Sequence, residues 1–380
     1  TPPQRKDEKT MSCDALTISK RFALEGEPVD AKPYGCGHIN DTYCVCCRRE
    51  GNPQRRYILQ RVNKNVFANV PELMDNMIHV TAFLKERVLA EGGDPDRECL
   101  QLVPTKDGAL YLQDEEGQYW RCFVFIENAV TFQTVGKPEH FYYSACAFGK
   151  FQRLLAAYPA ETLHEVIPHF HDTADRYKNF EKAVAENASG RAADVEPEIA
   201  FVRAREADTH RLVDLLAAGE LPLRVTHNDT KLNNVMLDDV TGRPVAVIDL
   251  DTVMPGLSLY DFGDSIRFGA NPAAEDEQDL SKVYCDLNLF EEYTKGFLEE
   301  CGDMLTAREI ELLPFAAKIM TFECGIRFLT DHIAGDTYFK IHREGHNLDR
   351  CRTQFKLVAD MEAKMEQMKA IVAKYAPAGK

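Results

Sequence analysis

The chain has 380 residues, 44% of them apolar, and its 45 Lys and Arg against 61 Asp and Glu leave a net charge of −16. That length and apolar content suffice for a sizeable core, in two domains or one large two-lobed one. A pI near 5.2 argues against general binding to nucleic acid or an anionic membrane, which both need a basic face, and no apolar run approaches the roughly eighteen residues of a membrane helix.

The first ten residues, TPPQRKDEKT, are charged and lack the apolar stretch of a signal peptide, and Met11 is a candidate start. The cysteines are scattered apart from Cys44, Cys46 and Cys47. Cys44 and Cys47 have C-x-x-C spacing but no second pair, and strand alternation turns them to opposite faces. Buried thiols in a reducing cytoplasm are expected, not a zinc or disulfide site.

In chain order, residues 12–32 read as a short covering helix with Leu16, Phe22 and Leu24 inward. YGCGHINDTY, Tyr34 to Tyr43, sets Gly35 and Gly37 in a turn before a β-like run, and such a turn lets backbone approach phosphate closely. A dinucleotide fingerprint fails on context, because Asn40 stands where the third glycine would open a helix. Taken alone, His38 is a loop histidine and Asp41 a turn residue. RYILQRV, Arg56 to Val62, is a strand. Pro71 opens a helix to about Ala90, with Leu73, Met77, Val80, Leu84 and Val88 on one stripe and Gly92-Gly93 at its end.

Strands around Leu100 to Pro104, Ala109 to Gln113 and Tyr119 to Ile126 complete a small antiparallel sheet. Glu127-Asn128-Ala129 is the natural hinge, dividing residues 1–128 from a mostly helical 129–380. His164, His169 and His171 suggest packing, with Asp172 capping a helix, rather than a metal site. A solvated stretch to Glu198 and a helix to Gly219 follow.

Arg224 to Asp251 holds the chemistry. His227-Asn228-Asp229 is followed by Asn234, and Asp249 leaves the apolar run Val245 to Ile248. An Asp on such a loop orients a hydroxyl and accepts its proton, while an Asn carbonyl and a second carboxylate are the hard oxygen ligands that Mg²⁺ prefers. The turn Asp238 to Pro244 is expected to lay its two strands together and bring Asn234 and Asp249 to one mouth. Lys231 is either a point charge for the transferring phosphate or a solvated loop lysine. Asp261-Phe262-Gly263 spells the metal-binding tripeptide of protein kinases, but it follows the turn Met254-Pro255-Gly256, so Asp261 or Asp264 is expected to cap and support the catalytic loop. From Leu280 the chain is helical, with breaks at Gly302, Pro314 and Gly335 and a long closing helix from Asn347. In FECGIRFLTDHIAGDTYFKI, Arg327 precedes Asp331 by one helical turn, the spacing of an ordinary surface ion pair.

HNDTKLNNVMLD followed by VIDLDTVMPG resembles the aminoglycoside phosphotransferase and choline kinase superfamily. With YGCGHINDTY and RFLTDHIAGDTYF, the chain looks like bacterial N-acetylhexosamine 1-kinases over roughly residues 30 to 360. The resemblance implies an α+β, two-lobed protein-kinase-like fold with a small antiparallel-sheet N-lobe and a mostly helical C-lobe. It implies ATP, Mg²⁺ and a small sugar acceptor phosphorylated at its anomeric hydroxyl. Asp229 would be the base and Asn234 and Asp249 the metal ligands. His38, Asp41, Arg327 and Tyr338 would hold the sugar, with Asp251 on metal or substrate. Gly35, Gly37 and Lys231 would serve the phosphates, and the hinge from Phe125 through Glu127 to Asn128 would hold adenine. In kinases the strand Arg56 to Val62 carries the phosphate-clamp lysine, and none stands there. Gln60 or Arg61 takes its place, alternation alone not deciding which, with Glu72 or Glu86 as candidate partner. The missing lysine keeps an ATP-binding pseudokinase as an alternative, alongside kinases of choline, methylthioribose or an aminoglycoside. No Ala-Pro-Glu segment follows Asp249, which argues against a protein kinase.

Overall fold

The computed structural model describes residues 15–35 and 39–380, so the expectations for Gly37 and His38 lie outside the described residues. Two compact units form. The first takes in the described chain through Ala129 together with Leu163–Val166 and Val245–Asp251, and the second takes in Val130–Thr162, Ile167–Pro244 and Thr252–Lys380. A single boundary at 128/129 omits these two returning segments.

In the first unit, β1 (Glu27–Pro33), β2 (Asp41–Arg48), β3 (Arg55–Val62), β4 (Leu112–Gln113) and β5 (Tyr119–Val124) form an antiparallel sheet in the order β1-β2-β3-β5-β4. Alternation sends Tyr43, Val45 and Cys47 of β2, Tyr57 and Leu59 of β3, and Trp120 and Cys122 of β5 into one core with Ile18 and Phe22. The expected covering helix is shorter than its sequence suggests: helix is present over 15–19, and β1 has begun by Glu27. The expected strands at 100–104 and 109–113 shrink to a single bridge from Leu102 to Phe123 and to β4. Pro104 has no N–H to extend a ladder, and Thr105 closes a local turn by accepting from Gly108 and donating to Ala109.

The other face of the sheet carries Thr42, Gln60 and Arg121. Helix α1 (Val70–Ala90) presents Met74 and Met77 to it, both within sulfur-contact distance of Arg121. Asn69 caps α1 by accepting from the Glu72 N–H, and Pro71 occupies the first turn, where its missing donor costs nothing. The returning segment at 163–166 is held by Asn76, whose side chain exchanges two 2.8 Å hydrogen bonds with the His164 backbone.

The second unit contains α2 (Pro138–Leu154), α3 (Thr173–Glu186), α4 (Ser258–Gly269), α5 (Leu287–Cys301), α6 (Ala307–Ala334) and α7 (His346–Ala363). Its large core runs from Phe141 through Phe262, Tyr293, Leu313, Phe322 and Leu329 to Met361. Helix α6 is buried on nearly every side and starts with a Thr306/Glu309 capping box. It continues through Pro314 rather than breaking there, because packing all round outweighs one missing hydrogen bond. At Gly263 a Cβ would stand 2.4 Å from the Ala316 carbonyl oxygen, so α4 approaches α6 as closely as only glycine permits. The expected helix to Gly219 is two, Glu196–Arg203 and Glu206–Ala217, and the closing helix is α7 followed by Met365–Tyr375. Among the described residues no helix is long and apolar enough to cross a membrane.

Candidate active site

The second unit holds the loop from His227 to Asn234. It leaves the strand Arg224–Thr226, which pairs antiparallel with Met254–Gly256, and helix α4 then captures its backbone. Asp261, fully buried, accepts from His227 N at 2.9 Å and Asn228 N at 2.8 Å, and from the Gln152 side chain at 2.6 Å. Thr230 N donates to Asp264 at 3.2 Å, and Thr230 Oγ1 to the Asp261 carbonyl at 2.7 Å. Burial pushes the Asp261 carboxyl above its usual range, against the pull of His227 and the loop N–H groups. Asn228 has a left-handed φ of 65°, and its side chain donates to the Thr252 carbonyl at 2.9 Å. Asp261 and Asp264 therefore brace the loop from α4, where the sequence reading places them.

On this braced loop Asp229 Oδ1 meets Lys231 Nζ at 2.8 Å. Asn234 donates to the Asp229 carbonyl at 2.8 Å and to its Oδ2 at 3.3 Å. The amide nitrogen of Asn234 is thus committed to Asp229, and its carbonyl oxygen, a hard donor of the kind Mg²⁺ takes, points away from it. Desolvation works to lower the Lys231 pKa, but the Asp229 carboxylate, with Asp264 behind it, holds the ammonium above its ordinary value. The turn after Asn234 closes at Asp238, whose Oδ1 accepts from Val240 N, Thr241 N and Thr241 Oγ1.

Behind the loop lies a charged cluster. His171 Nε2 is 3.4 Å from the Asn228 carbonyl, and its Nδ1 is 3.1 Å from Glu323 Oε2. Buried Glu323 also faces Arg327 at 3.8 Å and Arg176 at 4.0 Å. Burial works to raise the Glu323 pKa, but His171 and the two guanidiniums outweigh it and hold the carboxyl below its usual range. Arg327 lies between the rings of Phe170 and Phe339, at 5.6 and 5.4 Å from their centroids. Its partner on α6 is therefore Glu323, one turn back, and not Asp331 as expected. Asp331 instead accepts from the backbone N–H groups of Thr337, Tyr338 and Phe339, which follow the helix end at Gly335. Tyr338, 70% exposed, rides on that capped loop. The histidines near Asp172 have separate partners: His164 pairs with Asp75, His169 with Asp172 and His171 with Glu323. Asp172 caps α3 as expected.

The first unit holds the remaining expected residues. Asp249 has a left-handed φ of 60°, and Asp251 is 3% exposed, its Oδ2 accepting from Asn40 Nδ2 at 2.6 Å. Gln60 accepts from Arg121 and donates to Thr42 Oγ1 at 3.1 Å. Arg61 points to the other face, pairs with Asp41 at 2.6 Å and lies over Trp120. Gly35 sits at φ 81°, in the turn expected near phosphate. At the hinge the Glu127 carboxylate is held by Arg56 and its carbonyl by Arg97, while Arg56 also stacks on Phe125. The Glu127 side chain is thus structural. Burial, then neighbouring Cys46, pushes the Cys44 and Cys47 thiols up to about 11, so both stay protonated at neutral pH.

The sequence pattern described as the phosphotransferase enzyme family, APH, matches residues 30–295, well over half of the chain. This chain belongs to that family. Solved structures agree on the kinase-like fold. A microcompartment-associated aminopropanol kinase is 15% identical with a TM-score of 0.59, over 94% of this chain and 98% of that one. An aminoglycoside phosphotransferase from Alicyclobacillus acidocaldarius is 12% identical at 0.57, over 95% and 96%. A spectinomycin phosphotransferase in complex with ADP and spectinomycin is 12% identical at 0.55, over 94% and 98%. This phosphotransferase has features that motif reading missed: Arg121, and the gathering of Arg176 and Glu323 around His171. A cation inside the otherwise strand-forming YWRCFVF, and a Glu on a helix with no polar face, were the available signals.

Proposed function

We propose that this phosphotransferase uses ATP and Mg²⁺ to phosphorylate the anomeric hydroxyl of N-acetylglucosamine or N-acetylgalactosamine, giving the sugar 1-phosphate. Asp229 accepts the proton of the C1 hydroxyl as its oxygen bonds to the γ-phosphorus and ADP departs with the electrons of the broken P–O bond. Lys231 holds negative charge on the transferring group. Asn234 and Asp249 would hold the cation, which would offset phosphate charge. The turn at Gly35 approaches the phosphates, and the hinge backbone from Phe125 to Asn128 receives adenine. Most of the work is positioning and fixed electrostatics.

The observation that carries the acceptor assignment is the guanidinium pair Arg327 and Arg176 sharing one carboxylate, Glu323, behind Asn228. Two cations on one anion disfavour an ammonium substrate, such as choline or an aminoglycoside, and suit a neutral one rich in oxygen acceptors. Arg327 and Tyr338 are assigned to the sugar hydroxyls or the acetamido carbonyl, with Asp41 and His38 on the same substrate.

The test is ADP release with Mg²⁺ and ATP across N-acetylglucosamine, N-acetylgalactosamine, glucose, galactose, choline and kanamycin, with the product located by phosphorus NMR. An N-acetylhexosamine 1-phosphate is the expected product. Turnover with choline or kanamycin in its place would discard the sugar assignment and keep Asp229 as base, and bound ATP without any turnover would favour the pseudokinase.

A further inference from the structure

Strand β3 lacks the clamp lysine, and the cation on this face of the sheet comes from its neighbour. Arg121 on β5 is the register partner of Gln60 on β3 and is 1% exposed. Its Nε and Nη2 both donate to Gln60 Oε1, at 3.0 and 2.8 Å, and its Nη1 lies 2.5 Å from Asp251 Oδ1. Helix α1 turns methionines toward it, at 3.6 Å for Met77 Sδ, so neither Glu72 nor Glu86 is its partner. The contact with Asp251 is an ion pair rather than an aligned hydrogen bond, and with its guanidinium between Gln60 and Asp251 and almost no exposure, Arg121 is not placed to touch a nucleotide. It is placed to hold Asp251.

Asp251 is two residues beyond Asp249, whose left-handed φ of 60° is uncommon outside Gly, Asn and Asp and fixes the direction in which its side chain leaves the chain. The second oxygen of Asp251 reaches the strand entry after the Gly35 turn through Asn40, which in turn accepts from Asn63 N at 2.9 Å. We propose that Arg121 is a positioning residue: by tying Asp251 to the sheet it sets the backbone that aims Asp249 at the metal, and through Asn40 it links that aim to the phosphate-side turn. The inference rests on the Mg²⁺-nucleotide reading above. It moves Asp251 from substrate contact to tether and gives Gln60 the task of orienting the guanidinium.

The experiment titrates a fluorescent ATP analogue against the full chain at rising Mg²⁺ and follows thermal unfolding in parallel. Arg121→Met should raise the half-saturating Mg²⁺ about tenfold or more, with turnover lower by about 100-fold, the range seen when a metal ligand's support is removed. Arg121→Lys keeps the charge but cannot span Gln60 and Asp251 together, and should fall between. The double variant Arg121→Met/Asp251→Leu should regain the parent's unfolding midpoint, because an apolar pair replaces a buried ion pair at little cost, yet keep the raised Mg²⁺ requirement. Recovery of both quantities in the double variant would reduce the pair to a structural role and overturn the inference. So would parent-like Mg²⁺ half-saturation in Arg121→Lys, which decides the matter even should Arg121→Met fail to fold. Analogue binding to the parent with no Mg²⁺ dependence would instead remove the reading beneath it, and the inference with it.

Discussion

Asp261 offers a sharp prediction because its surroundings permit the effect to be worked out. Its two oxygens, fully buried, receive donors from His227 N, Asn228 N and Gln152 Nε2. In Asp261→Asn, the amide oxygen can keep the two donors that share Oδ2, but the new NH₂ faces the Asn228 N–H. One charge-assisted bond is lost, and both the Asn228 N–H and the new NH₂ are left without an acceptor, at about 1–3 kcal/mol per group. Because burial pushes this carboxyl up, removing the charge also relieves a desolvation cost, so a net loss of about 2 kcal/mol is expected. Asp261→Ala leaves all the donors unmet and should cost about 4 kcal/mol or more, at about 1–3 kcal/mol per group. Denaturant unfolding of parent and variants checks the order, and initial rates at several Mg²⁺ concentrations check the role. Turnover should fall with the half-saturating Mg²⁺ unchanged, since both Asp261 oxygens are taken by loop and Gln152 donors. A variant of parent stability whose defect is cured by excess Mg²⁺ would refute this and make Asp261-Phe262-Gly263 the metal-binding tripeptide it spells.

Asp229→Asn should lower turnover by about 100-fold or more while leaving the unfolding midpoint near the parent's; a loss of less than about tenfold in rate assays would remove it as base. Arg327→Ala should raise KM for the N-acetyl sugar about 10–100-fold, equivalent to about 1.5–3 kcal/mol for a lost charged donor, with a smaller change in kcat; unchanged steady-state constants would place Arg327 outside the acceptor site. Glu323→Gln should destabilise by about 3 kcal/mol at neutral pH by leaving two guanidiniums without their shared carboxylate. The pKa of Glu323 is depressed in the folded state, so its stabilisation is present above the unfolded value of about 4.3 and is lost as pH falls through the folded one. The gap between parent and Glu323→Gln in denaturant midpoints should therefore be full at pH 7 and close below about pH 4. A gap that stays constant down to pH 3 would show that the carboxylate's charge is not what stabilises the cluster.

The position of the loop from His227 to Asn234 was legible from local signals. Asp229 and Asn234 meet because their spacing and the turn between them are short-range properties, and the brace at Asp261 followed from its position after Met254-Pro255-Gly256. The stripe on α1 was equally legible, as nothing long-range competes with it. Elsewhere two placements were equal on local grounds. Arg327 stands one helical turn from both Glu323 and Asp331, and the choice was settled by three backbone N–H groups after Gly335 that claim Asp331. Gln60 and Arg61 alternate about β3, and which of them shares a face with α1 depends on where the core residues Tyr57 and Leu59 point. Arg121 was the least legible, since its counter-ion lies far along the chain and no local period joins the two. Pro314 shows the opposite failure, a strong local breaker overruled by its surroundings.

The membership of Val245–Asp251 in the first unit bears on how this protein may be divided. A fragment cut after Ala129 would keep Arg121 inside the sheet and surrender the carboxylate that neutralises it, leaving a buried guanidinium with methionine sulfurs and one amide for company. Such a fragment would be expected to bind water, aggregate or stay partly unfolded rather than behave as a small nucleotide module. Such a fragment also loses the His164 backbone that pairs with the Asn76 side chain, so both returning segments, 163–166 and 245–251, would have to be restored.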